Sequence, residues 1–224
     1  MVPKVIHCCW FGGPKTKLAE RCLASWRKFA PGWEVREWGL DSLPTGSRFL
    51  DHAVGLRRWA AASDWVRMWA LKEHGGVYFD FDVELVGGID DLCAFEWVAS
   101  EWTPNGGQQL NPGGGIALTR GSSVAARMLD LYEEQDYDPK AEMMSVITSN
   151  LADAMSRVHA PLRVLPPEWF SPIGSDGSMH RSSDTRAIHW YAMGGSSRRR
   201  RIARWMSWHG MDWLVRCLTR RRAR

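Results

Sequence analysis

A strand–helix–strand pattern near the start of the chain most constrains the fold. Residues 5–10 form a nearly continuous apolar run, which predicts a strand buried on both faces. Lys17–Phe29 has apolar residues at helical spacing and is followed by Pro31-Gly32, which stops a helix. Residues 33–38 alternate apolar and polar side chains, as a second strand does. This order predicts an α/β domain with a mostly parallel central sheet.

The rest of the pattern extends this domain to about residue 197. The longest helical pattern runs from His52 to His74 and ends at Gly75-Gly76, where glycine commonly terminates a helix. Further strands are predicted at residues 77–81, 98–102, 115–119, 162–165 and 186–190, and further helices at residues 122–134 and 139–157. We therefore expect one domain at residues 1–197 and a separate tail at residues 198–224.

The charge of the chain is divided unevenly between these two parts. The net charge is +4, but residues 197–224 contain ten Arg against one acidic residue, Asp212. The domain is therefore mildly acidic and the tail strongly basic.

The composition bears on the location of the protein. Five Cys, none in a CxxC pair, do not form an even disulfide framework and suit a reducing compartment. The N-terminus lacks the pattern of a signal peptide, and no run of 18 apolar residues occurs. We expect a cytoplasmic protein.

The Trp content points to a ligand site. Fourteen Trp exceed ordinary usage, and we expect one or two of them to stack on a sugar or a base.

The segment from Gly75 to Val83 is the strongest candidate for a functional site. Its apolar strand delivers two carboxylates, Asp80 and Asp82, spaced i and i+2, to one side of the strand end. Hard oxygen ligands in this arrangement suit Mg²⁺ or Mn²⁺ bridging phosphates. A bare DxD motif is more often a pair of solvated loop aspartates. The preceding glycines, the aromatic strand and the upstream helix favour a metal site.

A second candidate lies on the long predicted helix, where Asp64 and Arg67 are three residues apart and share a face. A simple intrahelical ion pair would contribute roughly 0.2–0.5 kcal/mol. The pair lies beside an apolar stripe, however, and a carboxylate that accepts hydrogen bonds from sugar hydroxyls would explain that placement.

A third candidate is the end of the first predicted strand, at residues 7–13. Ligands of open α/β sheets bind at the carboxyl ends of strands, so Trp10 could stack on a base and the glycines would let a ligand approach. A core Trp explains the same residue.

Taken together, these segments resemble glycosyltransferase family 32, which has a DXD-containing sugar-binding region and is distantly related to the clostridial glucosylating toxins. The resemblance covers residues 2–196 and rests on residues 3–13, 22–26, 33–38, 62–67, 75–83, 169–173 and 187–190. It implies a GT-A fold, a UDP- or GDP-linked sugar donor, a divalent cation (Mn²⁺ or Mg²⁺) and retention of the anomeric configuration.

The resemblance also implies roles for individual residues. Asp80 and Asp82 correspond to the residues that bind the cation and the donor. The residues that correspond to catalytic groups are Asp64, Arg67, Asp80 and Asp82. Those that correspond to donor-binding groups are Trp10, Asp64, Arg67, Asn111, His189 and Ser196. The family usually closes over the phosphates with a His-rich stretch and Ser-Trp, whereas Ser196 is followed here by Ser197 and not by Trp.

Two other classes of function remain open at this point. An aspartate-nucleophile phosphatase also carries an apolar strand ending in Asp-x-Asp, but normally on its first strand and with later Ser/Thr and Lys motifs. A basic nucleic-acid-binding protein would explain the Arg clusters of the tail but not the paired carboxylates.

The tail has an amphipathic helical pattern that allows three interpretations. Its apolar face is rich in Trp and its two ends carry Arg clusters, a combination that suits an anionic membrane surface. The same face could dock onto the domain. Nucleic-acid binding is the least favoured, because so many Trp side chains fit a groove poorly.

The resemblance and the tail together give the expected partners of the protein. They are a nucleotide-sugar donor, a saccharide or lipid-linked acceptor and an anionic membrane surface.

Overall fold

A computed structural model describes residues 1–134, 143–158 and 162–192 of the chain, without the side chains of residues 143–145. The strands are β1 Val5–Cys9, β2 Glu34–Trp38, β3 Gly76–Tyr78, β4 Val83–Leu85, β5 Trp97–Trp102, β6 Gln108–Leu110, β7 Ile116–Leu118, β8 Arg163–Leu165 and β9 Ala187–His189. The helices are α1 Lys17–Phe29, α2 Arg48–Gly55, α3 Trp59–His74, α4 Ser123–Glu134, α5 Met143–Val158 and α6 Pro167–Phe170, with short 3₁₀ turns at Leu40–Ser42 and Asp90–Ala94.

The central sheet is mixed but mostly parallel. Its strand order is β2-β1-β3-β7-β5-β6, and β8 pairs with β5. Within this described sheet, β2, β1, β3, β5 and β8 run in one direction, whereas β7 and β6 run in the other. A smaller sheet pairs β4 with β9 in antiparallel fashion. The predicted α/β class is therefore confirmed, and the sequence did not reveal β4 or β6.

The predicted βαβ unit has nearly the predicted boundaries. The side chain of Thr16 accepts a hydrogen bond from the backbone N–H of Ala19 and caps the start of α1. The neighbours Cys8 and Cys9 point to opposite sides of β1 and join two different hydrophobic clusters. One cluster lies on the α1 side of the sheet, and the other lies beneath α2, α3, α4 and α5.

The long helix predicted from His52 to His74 is two helices. α2 ends at Gly55 and α3 begins at Trp59, with Arg57 between them in the left-handed region at φ 53°. Nothing in the periodicity signals this break, because a residue other than glycine takes the left-handed conformation. The predicted end of α3 is correct, since Gly75 has φ 65° and donates its N–H to Leu71.

The described cysteines, Cys8, Cys9, Cys22 and Cys93, are all free. Trp26, Trp97 and Trp190 are among the largest fully buried side chains, so part of the Trp excess fills the core. No described helix has the length and apolar character that crossing a membrane requires. The Pro139 start of the predicted helix and the entire basic tail lie outside the described residues.

Candidate active site

The strand predicted at residues 77–81 ends at Tyr78, and the two aspartates lie in the tight turn that follows. The N–H of Asp80 donates to the carbonyl of Gly113 at 3.0 Å, and the N–H of Val83 donates back to the carbonyl of Asp80 at 3.0 Å. Phe81 is buried in the core between the two aspartates. The carboxylates of Asp80 and Asp82 lie close together at the carboxyl end of β3, on either side of this buried ring.

Arg67 on α3 forms ion pairs with two of the predicted site residues, Asp64 and Asp80. Its Nη1 lies 2.8 Å from Oδ1 of Asp64, and its Nη2 lies 3.1 Å from Oδ1 of Asp80. The guanidinium also stacks over the ring of Tyr78, 4.5 Å from the ring centroid. Only 3% of the Arg67 side chain is exposed. The pair is therefore not an ordinary surface ion pair but part of a buried charge network.

Burial sets the electrostatics of this network. Burial raises the pKa of Asp64 to about 7, against the attraction of Arg67. Burial likewise raises the pKa of Asp80, and the negative charge of Asp82 adds to the effect while Arg67 opposes it. Arg67 thus pairs with two carboxylates, Asp64 and Asp80, and Asp82 adds a third negative charge nearby. A bound cation would relieve the repulsion between Asp80 and Asp82.

Asp82 is enclosed by the late strand β9. Val83 and His189 face each other across the β4–β9 pair, and the N–H of Trp190 donates to the carbonyl of Asp82 at 2.9 Å. Oδ1 of Asp82 lies 3.3 Å from Nε2 of His189, and Oδ2 of Asp82 accepts the backbone N–H of Ala192. Burial alone would lower the pKa of His189, but the Asp82 carboxylate raises it above its ordinary value.

Asp80, Asp82 and His189 form a group that fits a divalent cation. One ligand atom from each residue lies within 4.8 Å of the others, a spacing that a single ion can bridge. Glycine at position 113 leaves room for the Asp80 carboxylate, because a Cβ on Gly113 would lie 2.3 Å from Oδ2 of Asp80. The sequence analysis placed His189 in the donor site and named only Asp80 and Asp82 for the cation. His189 lies near Asp82 because β4 pairs with β9, and these strands are more than one hundred residues apart in the chain. Local spacing in the sequence does not reveal such a pairing.

Asn111 lies behind His189 and is completely buried. Its Nδ2 lies 3.0 Å from Nδ1 of His189 and 3.0 Å from Oγ of Ser171, and its Oδ1 accepts the N–H of Gly114 at 3.0 Å. A direct contact between Asn111 and a donor remains a prediction. The described contacts of Asn111 instead join the loop after β6 to His189.

Two residues of the first strand have different surroundings. Trp10 is half-buried, donates its indole N–H to Gly13 at 3.0 Å and packs edge-on against Phe81, with ring centroids 5.0 Å apart. It therefore adjoins the aspartate turn, and base stacking by Trp10 remains a prediction. His7 is fully buried between Trp38 and Gly75 and serves the framework. Ser196, predicted in the donor site, lies outside the described residues.

Comparisons with known proteins agree with this geometry. Residues 17–99 match the family described as a glycosyltransferase sugar-binding region containing the DXD motif. The matched segment spans α1 to α3 and the aspartate turn and ends within β5. No curated protein matches the chain.

Solved structures show the same fold. A structure titled PaToxG glycosyltransferase aligns with a TM-score of 0.56 and 17% identity over 70% of each chain. A glycosyltransferase involved in the glycosylation of the major capsid of PBCV-1 aligns with a TM-score of 0.52 and 15% identity, over 90% of this chain and 99% of that chain. The predicted GT-A fold is thereby confirmed, and residues 17–99 are similar to the DXD-containing sugar-binding region of glycosyltransferases.

Proposed function

We propose that the protein transfers a sugar from a UDP- or GDP-linked donor with the help of Mn²⁺ or Mg²⁺, retaining the anomeric configuration. The observation that carries the proposal is the group of Asp80, Asp82 and His189 beside Arg67, at the carboxyl end of β3. Ligands of open α/β sheets bind at this edge. Retention is carried over from the resemblance to family 32, and membership of that family stays a prediction.

Asp80 and Asp82 would hold the cation, which neutralises the charge that develops on the leaving diphosphate. The Asp80 side chain is 29% exposed and the Asp82 side chain 2%, so Asp80 is the more open of the two toward a ligand. Mg²⁺ and Mn²⁺ sites that bind phosphates commonly use one or two carboxylates and complete their coordination with water and phosphate oxygens. The two aspartates suit this arrangement.

Arg67 would keep Asp80 ionised and correctly oriented. Its guanidinium is buried and bonded to both Asp64 and Asp80, so it cannot swing away from the turn without leaving a carboxylate unpaired. The sugar contact predicted for Asp64 and Arg67 would require the donor to reach the partly open edge of this network. Positioning of Asp80 follows from the contacts of Arg67 alone.

The rival hypothesis of an aspartate-nucleophile phosphatase finds no support in the fold. Here the Asp-x-Asp turn follows β3, and the antiparallel strand β7 lies next to it in the sheet. The hypothesis of a nucleic-acid-binding protein does not explain the buried ion pairs of Arg67 with Asp64 and Asp80.

Donor hydrolysis tests the proposed function without knowledge of the acceptor. A panel of UDP- and GDP-sugars is incubated with the full chain, with and without Mn²⁺, and release of the nucleotide is measured. We expect slow release from one donor class that requires Mn²⁺ and disappears in Asp82→Asn. Asp130→Asn on the exposed face of α4 removes the same charge elsewhere and should behave as wild type. Release that is unaffected by Asp82→Asn would contradict the proposal.

The acceptor and the location are further parts of the proposal. We propose a saccharide, lipid-linked, natural-product or protein acceptor, and a cytoplasmic protein whose basic tail contacts an anionic membrane. The tail charge and its Trp-rich face support this contact. Sedimentation with anionic liposomes should bring down the full chain, less so at high salt, and not a chain truncated after Ser197. A full chain that stays in the supernatant would contradict the membrane contact.

A further inference from the structure

The strand β4, which follows the aspartate turn, has a neighbouring strand on one side only. Within the described residues it pairs with β9, and α1 lies along its other side. The backbone groups of Asp82 and Val86 bond to the residues that flank β9. Since successive residues of an antiparallel strand alternate in direction, Val83 and Leu85 point their backbone groups away from β9. Buried backbone groups of this kind need other partners.

Two side chains of α1 supply these partners. The indole N–H of Trp26 donates to the carbonyl of Val83 at 2.8 Å, and the N–H of Leu85 donates to Oγ of Ser25 at 2.9 Å. The Ser25 hydroxyl donates its own proton to the carbonyl of Cys22 at 2.6 Å, so its lone pairs remain to accept from Leu85. Both side chains are buried. Helix α1 therefore takes the place of a second neighbouring strand for β4.

Trp26 also contacts the aspartate turn itself. Its ring centroid lies 6.0 Å from that of Phe81 and 5.9 Å from that of Phe79. Phe81 and Val83 are the chain neighbours of Asp82. The side chain of Trp26 thus contacts the residue before Asp82 and the residue after it.

We infer that Ser25 and Trp26 are positioning residues that fix the Asp82 carboxylate through β4. Because only 2% of the Asp82 side chain is exposed, the carboxylate has little room to turn when β4 shifts, and its distance from Asp80 changes with the strand. Residues 22–26 carry part of the family resemblance, and this inference gives them a role at the cation site. It rests on the proposed function in assuming that the two aspartates hold a cation.

A third residue of α1 connects β4 to β9 from outside. Oε1 of Glu84 accepts from Nε of Arg21 at 2.8 Å, and Oε2 of Glu84 accepts from the indole N–H of Trp190 at 2.9 Å. Arg21 lies one helical turn before Ser25 and on the same face of α1. Because 40% of the Arg21 side chain is exposed, we expect this ion pair to contribute less than the two buried bonds.

Amide hydrogen exchange of the full chain tests the contact between α1 and β4 and needs no cation. Relative to the amides of β1 in the same sample, the amide of Leu85 should exchange at least about tenfold faster in Ser25→Ala than in the wild type. Ser149→Ala is the matched control, because the exposed Ser149 on α5 makes the same kind of bond, to the carbonyl of Val146 at 3.0 Å. An unchanged rate at Leu85 in Ser25→Ala would overturn the inference.

Titration of Mn²⁺ followed by EPR tests the consequence for the cation. Trp26→Phe removes the bond to Val83 and should weaken Mn²⁺ binding about tenfold, as should Ser25→Ala. Trp97→Phe is the control, because Trp97 is equally buried in the same hydrophobic cluster and no described residue accepts from its indole N–H. It removes the same volume and should bind Mn²⁺ as the wild type does.

Two results of this titration would overturn the inference. One is wild-type affinity in Trp26→Phe and Ser25→Ala, and the other is an equal loss of affinity in Trp97→Phe. Ser25→Ala keeps the test decisive if Trp26→Phe does not fold. Failure of the wild type to bind Mn²⁺ would instead contradict the proposed function, and hydrogen exchange would still decide whether α1 holds β4.

Discussion

Asp80 and Asp82 are two residues apart, yet they contact different regions of the chain. Asp80 belongs to what we term the helix side, with Asp64 and Arg67 from α3. Asp82 belongs to the late-strand side, with Asn111 and His189, which come from the loop after β6 and from β9. The turn at Phe81 divides the two aspartates between these regions.

The two sides stabilise their carboxylates by different means. On the helix side a permanently charged guanidinium bridges two carboxylates in a buried ion-pair network. On the late-strand side, Asp82 accepts the N–H of Ala192, and its other oxygen lies 3.3 Å from Nε2 of His189. The helix side is therefore expected to contribute mainly to stability and to the position of Asp80. The late-strand side is expected to contribute mainly to cation binding.

The largest expected effect is the loss of activity in Asp82→Asn. Removing the charge from the late-strand side should lower Mn²⁺-dependent donor hydrolysis by about 100-fold or more, as expected when a group that stabilises developing charge is lost. The free energy of unfolding should change little, because the amide keeps the size of the side chain. Kinetics and urea denaturation of the same samples measure both quantities. A large loss of stability would place Asp82 in the framework instead.

On the helix side, Asp64→Ala should cost about 3 kcal/mol of unfolding free energy, because it leaves Arg67 buried with one partner fewer. Asp153→Ala is the matched control, since it breaks an exposed pair with Arg157 on α5 and should cost less than about 1 kcal/mol. Urea denaturation measures both changes. Equal effects of the two substitutions would show that the buried network contributes no more than a surface pair.

The histidine that supports the helix side predicts a pH dependence. His7 accepts from Trp38 and bonds to the carbonyl of Gly75, which ends α3. Burial lowers the pKa of His7 from its ordinary 6.5 to about 4. Between these values the unfolded chain binds a proton that the folded chain does not. Stability contributed by neutral His7 is therefore present above pH 6.5 and lost as the pH falls toward 4.

From about pH 7 to pH 5 this loss should amount to about 2 kcal/mol. Denaturation of the wild type and of His7→Gln at the two pH values isolates the effect, because the other titrating groups are shared. The difference between the two proteins should shrink as the pH falls. A constant difference would mean that His7 takes up its proton equally in both states.

The smallest expected effect concerns the space around Asp80. In Gly113→Ala the new methyl group would lie 2.3 Å from Oδ2 of Asp80, so the carboxylate must shift. Because that carboxylate is partly exposed and can turn, we expect Mn²⁺ binding to weaken only about tenfold. Gly55→Ala, which meets no atom within 4 Å, is the control. Titration of Mn²⁺ measures both variants, and equal affinities would argue against a tight fit at Gly113.

The helix side was largely predictable from sequence, whereas the late-strand side was not. The spacing of Asp64 and Arg67 places them on one helical face, and Gly75-Gly76 at the start of β3 indicates where the Asp-x-Asp turn lies. Both are local signals. The contact between His189 and Asp82 and that between His189 and Asn111 arise from strand pairing over long separations. No local period encodes such contacts.

The wrong prediction of one long helix has a related cause. Periodicity continues through the break at Arg57, and the break is set by tertiary packing. The Ser47 hydroxyl donates to the Glu133 carboxylate, and the backbone N–H of Arg48 donates to the same carboxylate at 3.2 Å. These bonds direct α2 toward α4 before α3 begins. The roles of Ser196 and the tail fall on residues 193–224, outside the described residues, and stay predictions.

Nucleotide binding with and without the cation tests the central claim most directly. Calorimetric titration of UDP and GDP into the full chain should show binding of one of them that weakens at least about tenfold when Mn²⁺ is removed. In Asp82→Asn the affinity should be low and independent of Mn²⁺. Equal affinity with and without Mn²⁺, or a Mn²⁺ effect that persists in Asp82→Asn, would contradict a cation held between these carboxylates and a diphosphate.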